Sequence, residues 1–406
     1  MTSKLSQDPI IRELVQQAKQ SRLSRRHLLQ GVGIGAGALA LAACAPVGSS
    51  ASAPAPAVDR SDSQKLLNWS NWPGDLDQAP DGSYPTLLAF EDKTGIKVGY
   101  KADIQDNNAY YNTIKDHLAR GEETVSDTFC LTDWMVARLI RFGYVQELDA
   151  ANIPNKKNLA PALLNPDYDA GRAMSMPWLN GFAGLAWNTE EVPNGLREVD
   201  DLWDPKLKGK VSVLSEMRDT MGLILLSQGV DISKESWGAD EFAKAINVLE
   251  KQLKDGQLLG IKGNEYVQDL VSGDVVAAIA WSGDITVLNA DAGYEKWKFV
   301  LPDSGGTLWG DVFVVPMGSP RKKNVETLIN YYYEPEVAAE VAASVNYITP
   351  VVGAQAVAAE KYPEIADNPL IFPSEATLAQ AHTFRSLQSA DDQAFNSEFQ
   401  RVQAEA

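Results

Sequence analysis

From Leu66 onward the chain alternates short strand-like runs with helix-like ones, and this alternation is the strongest constraint on its fold. Residues 66–69 form a short apolar strand. Residues 86–93 read as a helix stopped by Gly95, and 96–100 return to strand. A helix over 108–120 precedes a strand over 128–131 and a helix over 133–142. Residues 183–187, 211–214 and 276–280 are buried-type strands. Between the last two, Phe242, Ala243, Ile246, Leu249 and Leu253 repeat at helical spacing, so 240–254 is an amphipathic helix. A strand over 312–315 and a helical stretch over 324–345, broken near Pro335, follow. Strands separated by helices imply α/β layers with largely parallel sheets. No internal repeat is visible.

The first 64 residues do not fit that pattern. Arg25 and Arg26 precede a glycine- and alanine-rich apolar run, 31–43, too short to stay as a membrane-spanning helix, so it reads as a signal segment. The arginine pair resembles a twin-arginine (Tat) export signal. His27 and Leu28 depart mildly from it. Leu41-Ala42-Ala43-Cys44 resembles a lipobox, in which Cys44 becomes the lipidated first residue. These features predict a chain exported to the periplasmic or cell-surface side and held to the membrane by acyl chains. Residues 44–64 are rich in Ser, Ala and Pro and read as a flexible tether. Extended, such a tether would reach roughly 60–70 Å.

Without its signal the chain has about 360 residues, too many for one core and suited to two lobes. Removing the six basic and two acidic residues of the signal moves the formal charge from −18 to −22. Such acidity is unsuited to nucleic-acid backbones and compatible with a cationic ligand. Cys130, the only cysteine besides Cys44, sits in an apolar stretch and reads as an inert buried thiol, so no disulfide framework exists. All ten tryptophans lie after the signal, where they can build apolar walls or faces for cations.

Ligands of open α/β sheets bind beyond the carboxyl ends of strands. Trp72, Trp134, Glu216, Asp219 and Trp281 all follow strand-like runs. Aromatics and carboxylates at such positions suit a cage for a cation. Taken singly, Glu216 also fits a helix-start acid, Asp219 a surface acid and Asp311 a turn acid.

The ordered stretches Asn71-Trp72, 91–98, 201–209, Arg218-Asp219, 280–283, Trp309-Gly310-Asp311 and 346–350 resemble the polyamine (spermidine/putrescine) substrate-binding proteins of ABC transporters. The resemblance runs from about Leu66 to Arg401. It implies a periplasmic-binding-protein (type II-like) α/β fold, with lobe I at 65–183 and 312–358, lobe II at 184–311 and 359–406, and a ligand cleft between them. The crossings are expected near 182–184, near 309–312 and after Pro350. It also implies the ligand set. Trp72 looks like the first cage aromatic, and Thr132 and Trp134 like a polar–aromatic pair. Glu216 and Asp219 look like the acids that receive amines, with Asp311 as the central carboxylate. Trp281, Trp309 and Tyr347 look like further walls. Pro73, Gly74 and Asp75 replace a Thr/Glu/Tyr-like stretch; Asp75 either adds a carboxylate or caps the next helix. Thr383, Phe384 and Arg385 stand where the family can offer a Gln.

A polyamine is a row of ammonium groups joined by methylenes. Its charges need carboxylates, because a desolvated unpaired ion is costly. Aromatic faces serve both its charges and its methylenes. The expected partners are therefore a polyamine, an ABC permease and, through the lipid, a membrane; the expected assembly is a monomer without cofactor. Another small amine, an opine or a sugar on the same fold is the alternative. An exported enzyme fits less well: His117 and His382 lie far apart without metal-ligand spacing, and no nucleophile elbow, phosphate loop or dinucleotide fingerprint occurs.

Overall fold

The computed structural model describes residues 54–406, so Arg25, Arg26 and Cys44 lie outside the described residues. Among those described, β1 (Leu66–Asn71), α1 (Pro85–Thr94), β2 (Lys97–Ala102), α2 (Asn107–Arg120), β3 (Thr128–Thr132) and α3 (Asp133–Arg141) come first. Short 3-10 turns lead to β4 (Ser175–Asn188). Then come β5 (Val211–Leu214), α4 (Met217–Ser227), α5 (Ala239–Lys254), β6 (Leu258–Lys262), α6 (Tyr266–Ser272), β7 (Ala277–Trp281), α7 (Ser282–Ala292), β8 (Trp297–Val300) and β9 (Gly306–Val314). The last part holds α8 (Lys322–Tyr332), α9 (Pro335–Val345), α10 (Ala354–Lys361), β10 (Ala381–His382) and α11 (Ser389–Gln403). Pro335 divides α8 from α9 by taking the first position of α9, where a missing N–H removes no helical bond.

The strands run in the order β2-β1-β3-β9-β4-β7-β5-β6, with β10 beside β9 and β8 beside β4. The expected largely parallel sheet is corrected here to a mixed one. β1 is parallel to β2 and β3, and β5 is parallel to β6 and β7. β9 is antiparallel to β3 and β4, and β4 is antiparallel to β7 and β8. The cause is the pair β4 and β9. β4 pairs with β9 from Ser175 to Ala183, and with β7 and β8 from Ala183 to Asn188. One long strand therefore belongs to both lobes. All its residues are buried, as expected of a strand covered on both faces.

Lobe I has apolar packing on both faces of its sheet. Leu67, Trp69, Phe90, Phe313 and Tyr332 pack on one side, and Phe129, Leu131, Met135, Val312 and Val314 on the other. The alternation of Val312, Phe313 and Val314 between these clusters follows from the two-residue period of a strand. Lobe II has a single cluster, including Leu185, Val213, Ile224, Phe242, Ile279 and Phe395. The chain enters that cluster at Ala183. Ile365, Ala366 and Ile371 still pack with lobe I, and Phe384 packs with lobe II, so the last passage lies beyond 358.

The tether expectation is also corrected for its second half. The Ala57 N–H donates to the Met317 carbonyl at 2.8 Å and that of Arg60 to the Pro320 carbonyl at 2.6 Å. Ser61 is buried, and its hydroxyl receives the Asn324 N–H at 3.1 Å. The Asn324 amide reaches the carbonyls of Gln64 and Leu66 at 2.6 and 2.9 Å. Residues 54–64 are thus a strap on lobe I, fixed by backbone and side-chain hydrogen bonds that composition does not reveal.

Candidate functional site

One cleft with about 1280 Å³ of open space lies between the lobes, and Trp72, Asp75, Thr132, Trp134, Glu216, Asp219, Trp281, Trp309, Asp311 and Tyr347 all line it. The strand ends explain this convergence. Trp72 follows β1, Thr132 ends β3, Glu216 follows β5, Trp281 ends β7, and Asp311 lies in β9 where it pairs with Thr132.

Lobe I contributes a hydrogen-bonded chain. The Asn107 amide donates to the Thr132 hydroxyl at 2.8 Å, and that hydroxyl donates to Asp311 at 3.0 Å. The Thr132 N–H returns a bond to the side-chain Oδ1 of Asn107 at 3.1 Å. Asn107 also reaches Glu216 of lobe II at 3.4 Å. Asp75 is buried on the same wall, and one of its oxygens lacks a hydrogen-bond partner. Of the two readings left open for it, capping falls instead to Asp77, which receives the Thr86 N–H at 2.8 Å and the Thr86 hydroxyl.

Lobe II contributes the start of α4. Glu216 caps that helix by accepting the Arg218 N–H at 3.3 Å. Asp219 accepts the Trp281 indole N–H at 2.9 Å and the Thr307 hydroxyl at 2.7 Å. Trp309 stands edge-on to Tyr347, with ring centres 5.1 Å apart.

Several lining residues had not been picked out from sequence. Asp284 lies one turn of α7 beyond Trp281. It accepts the Tyr266 hydroxyl at 2.7 Å and the Tyr347 hydroxyl at 3.4 Å. Its three-residue spacing from Trp281 was the available signal. Asp106 and Asn107 follow β2, and the strand-end rule that located Trp72 could have located them. Asp133 and Arg218 also line the cleft. Thr383 and Phe384 do so too, whereas the Arg385 guanidinium turns away to the Trp237 carbonyl at 3.1 Å.

Electrostatically the cleft is one-sided. Seven acidic residues line it against one guanidinium, Arg218. Burial pushes Glu216 up to about 7 despite the opposing Arg218 charge, with Asp219 and Asp106 raising it further. Burial likewise lifts Asp219 to about 6, against the bonds from Trp281 and Thr307. Asp75 and Asp311 are raised well above the ordinary carboxylate value, mainly by burial and then by each other's charge or that of neighbouring acids. Acids crowded in a desolvated slot hold protons unless a cation enters.

A deep acidic, aromatic cleft between two lobes that share β4 and β9 defines a ligand-binding protein of the periplasmic-binding-protein architecture. Residues 87–373 match the bacterial extracellular solute-binding protein family, and the chain belongs to that family. It is a substrate-binding transport protein and not an enzyme. It is 27% identical over 324 residues to spermidine/putrescine-binding periplasmic protein 1 of Haemophilus influenzae, covering 79% of this chain and 84% of that one. It is 28% identical over 345 residues to the putrescine-binding periplasmic protein PotF of Escherichia coli K12, covering 79% and 87%. Among solved structures, a protein ascribed to a spermidine/putrescine ABC transporter of Listeria monocytogenes superposes with a TM-score of 0.72 at 25% identity, covering 84% of this chain and 99% of that one.

Proposed function

We propose that this protein binds a polyamine of the putrescine/spermidine class in the cleft and delivers it to an ABC permease. The observation that carries the reading is the lining itself: seven acids against one guanidinium, with Trp72, Trp134, Trp281 and Trp309 beside them. Ammonium groups take the carboxylates, and methylenes take the indole faces. The names of the Haemophilus and Escherichia relatives support the same ligand class. The ligand touches both lobes, binds the closed arrangement better than the open one, and so shifts the population toward closure. The permease then reads the closed shape. The protein acts as a monomer outside the cytoplasm, exported through Arg25 and Arg26 and anchored by lipid on Cys44.

Calorimetry of the purified residues 45–406 against putrescine, spermidine, an opine and a neutral sugar tests the ligand. A polyamine should bind and the sugar should not. Asp311→Asn keeps the shape and removes one charge; loss of a buried hydrogen-bonded charge contact of about 2–5 kcal/mol predicts an affinity drop of roughly 30-fold or more. Equal binding by this variant, or a parent that takes no polyamine, rejects the reading.

A further inference from the structure

Beside the cleft, one carboxylate gathers guanidinium groups from both lobes. Asp392 sits in the first turn of α11, a helix whose Phe395, Phe399 and Val402 pack into the lobe II cluster. Its Oδ1 accepts from Arg218 Nη2 at 2.8 Å, also within lobe II. Its Oδ2 accepts from Arg138 Nε at 3.0 Å and Nη2 at 2.8 Å, and Arg138 belongs to α3 of lobe I. Arg141, one turn-face further along α3, stands at 3.7 Å. Asn396 donates to Oδ1 at 2.9 Å from within α11.

The cluster is built into the cleft wall. The Arg218 guanidinium lies over the Trp134 ring at 3.9 Å, and that of Arg138 lies 5.0 Å from the same ring. Trp134 and Arg138 are four residues apart on α3 and share a face. Arg218 stands between Glu216 and Asp219, both in the cleft lining. Parting of the lobes would leave the Arg218–Asp392 pair intact, because both residues belong to lobe II, and would break the Arg138–Asp392 bonds and the Trp134–Arg218 stack together.

We infer that Asp392 is a clasp for the closed state: it holds Arg218 ready in lobe II, and closure is completed when Arg138 and Trp134 of lobe I dock on that pair. Asp392 and Arg138 are positioning residues. They act on the ligand through the Trp134 wall and through the time the lobes stay shut. This inference rests on the reading of the cleft as a ligand site that opens and closes.

Arg138→Gln is the cleaner variant, because Asp392 keeps its Arg218 partner and no buried charge is orphaned. Asp392→Asn and the double variant complete a cycle, with thermal midpoints showing that each folds. Stopped-flow tryptophan emission with spermidine and putrescine reads the rates, and small-angle scattering reads the shape with and without ligand. Breaking the clasp should speed release by roughly tenfold or more while association changes little, as is usual when a buried charge pair is cut. The double variant should release no faster than the faster single one, since both remove one interaction. Scattering should show the variants more expanded than the parent. Parental release rates together with a parental scattering curve overturn the clasp, as does additivity in the double variant. A parent that binds no polyamine rejects the ligand reading alone. The clasp is then decided by scattering: expansion of Arg138→Gln supports it, and superimposable curves overturn it.

Discussion

Trp281 donates its indole N–H to Asp219 across 2.9 Å, so this carboxylate fixes an aromatic wall as well as charging the cleft. Its other oxygen is engaged by the Thr307 hydroxyl at 2.7 Å. Asp219 therefore differs from Asp75, one of whose oxygens has no hydrogen-bond partner within the protein.

That difference separates two substitutions. Asp219→Asn keeps the outline but loses the charge; Asp219→Ala also releases the Trp281 ring. Hydrogen bonds to charged groups are worth about 1.5–3 kcal/mol, so polyamine affinity should fall roughly tenfold or more in the first variant and further in the second. Only Asp219→Ala should shift the tryptophan emission of the unliganded protein. Equal affinities for the two variants would mean that Asp219 acts by charge alone.

The raised acids predict a pH response. Glu216 at about 7 and Asp219 at about 6, each lifted chiefly by burial in the closed cleft, are partly protonated near neutral pH. An entering ammonium displaces those protons. Affinity should therefore climb between about pH 5.5 and 8, and binding should release protons, seen as a dependence of the calorimetric heat on buffer ionisation enthalpy. For the unliganded fold the sign is opposite. A carboxyl whose folded value exceeds its unfolded one contributes most below the unfolded value and loses that contribution as pH rises through the folded one. The melting midpoint of the unliganded protein should accordingly fall as pH rises across the same window, and saturating ligand should offset the loss. A flat affinity and a buffer-independent heat would exclude proton displacement.

Gly283 has a packing reason. A Cβ there would stand 2.6 Å from two carbons of the Tyr347 ring. Gly283→Ala should push Tyr347 away from Asp284 and from its edge contact with Trp309. We expect weaker polyamine binding with far-ultraviolet dichroism unchanged. Parental affinity would show that Tyr347 relaxes without cost.

Export has its own test. Replacing Arg25 and Arg26 by lysine should leave precursor in the cytoplasm, and Cys44→Ala should free the folded body from the membrane. Unchanged fractionation of both variants would remove the signal and the anchor from the account.

The elements legible in sequence were those with a clear period or punctuation. α5 showed its helical stripe, β5 was bounded as found, and Pro335 marked the break between α8 and α9. α4 was missed because ten of its eleven residues are buried, Arg218, Asp219 and Thr220 among them, so no polar face alternates with an apolar one to make a stripe. Only the end of β4 was read, because its first half contains Pro177, Asn180 and Gly181, which interrupt a strand pattern. The mixed sheet was hidden because strand direction depends on which strands β4 and β9 pair with, and those partners are distant in sequence. At the site, residues adjoining recognised strands were legible. Asp284 and Arg218 were not singled out, since their importance comes from tyrosine, tryptophan and aspartate partners distant in sequence.

The strap formed by residues 54–64 bears on how the proposed lipid anchor would hold the body. With lipid on Cys44, only residues 45–53 separate the anchor from the body, and at 3.3–3.6 Å per residue they reach about 30 Å. That is roughly half the span of a tether running to residue 64. For a flexible leash the effective concentration falls as roughly the −3/2 power of length, so the shorter leash would raise the concentration of the protein at a permease by about threefold. The leash also leaves from one lobe. With lipid on Cys44, lobe I, which carries the strap, would be the one held at the membrane, and lobe II the one free to swing.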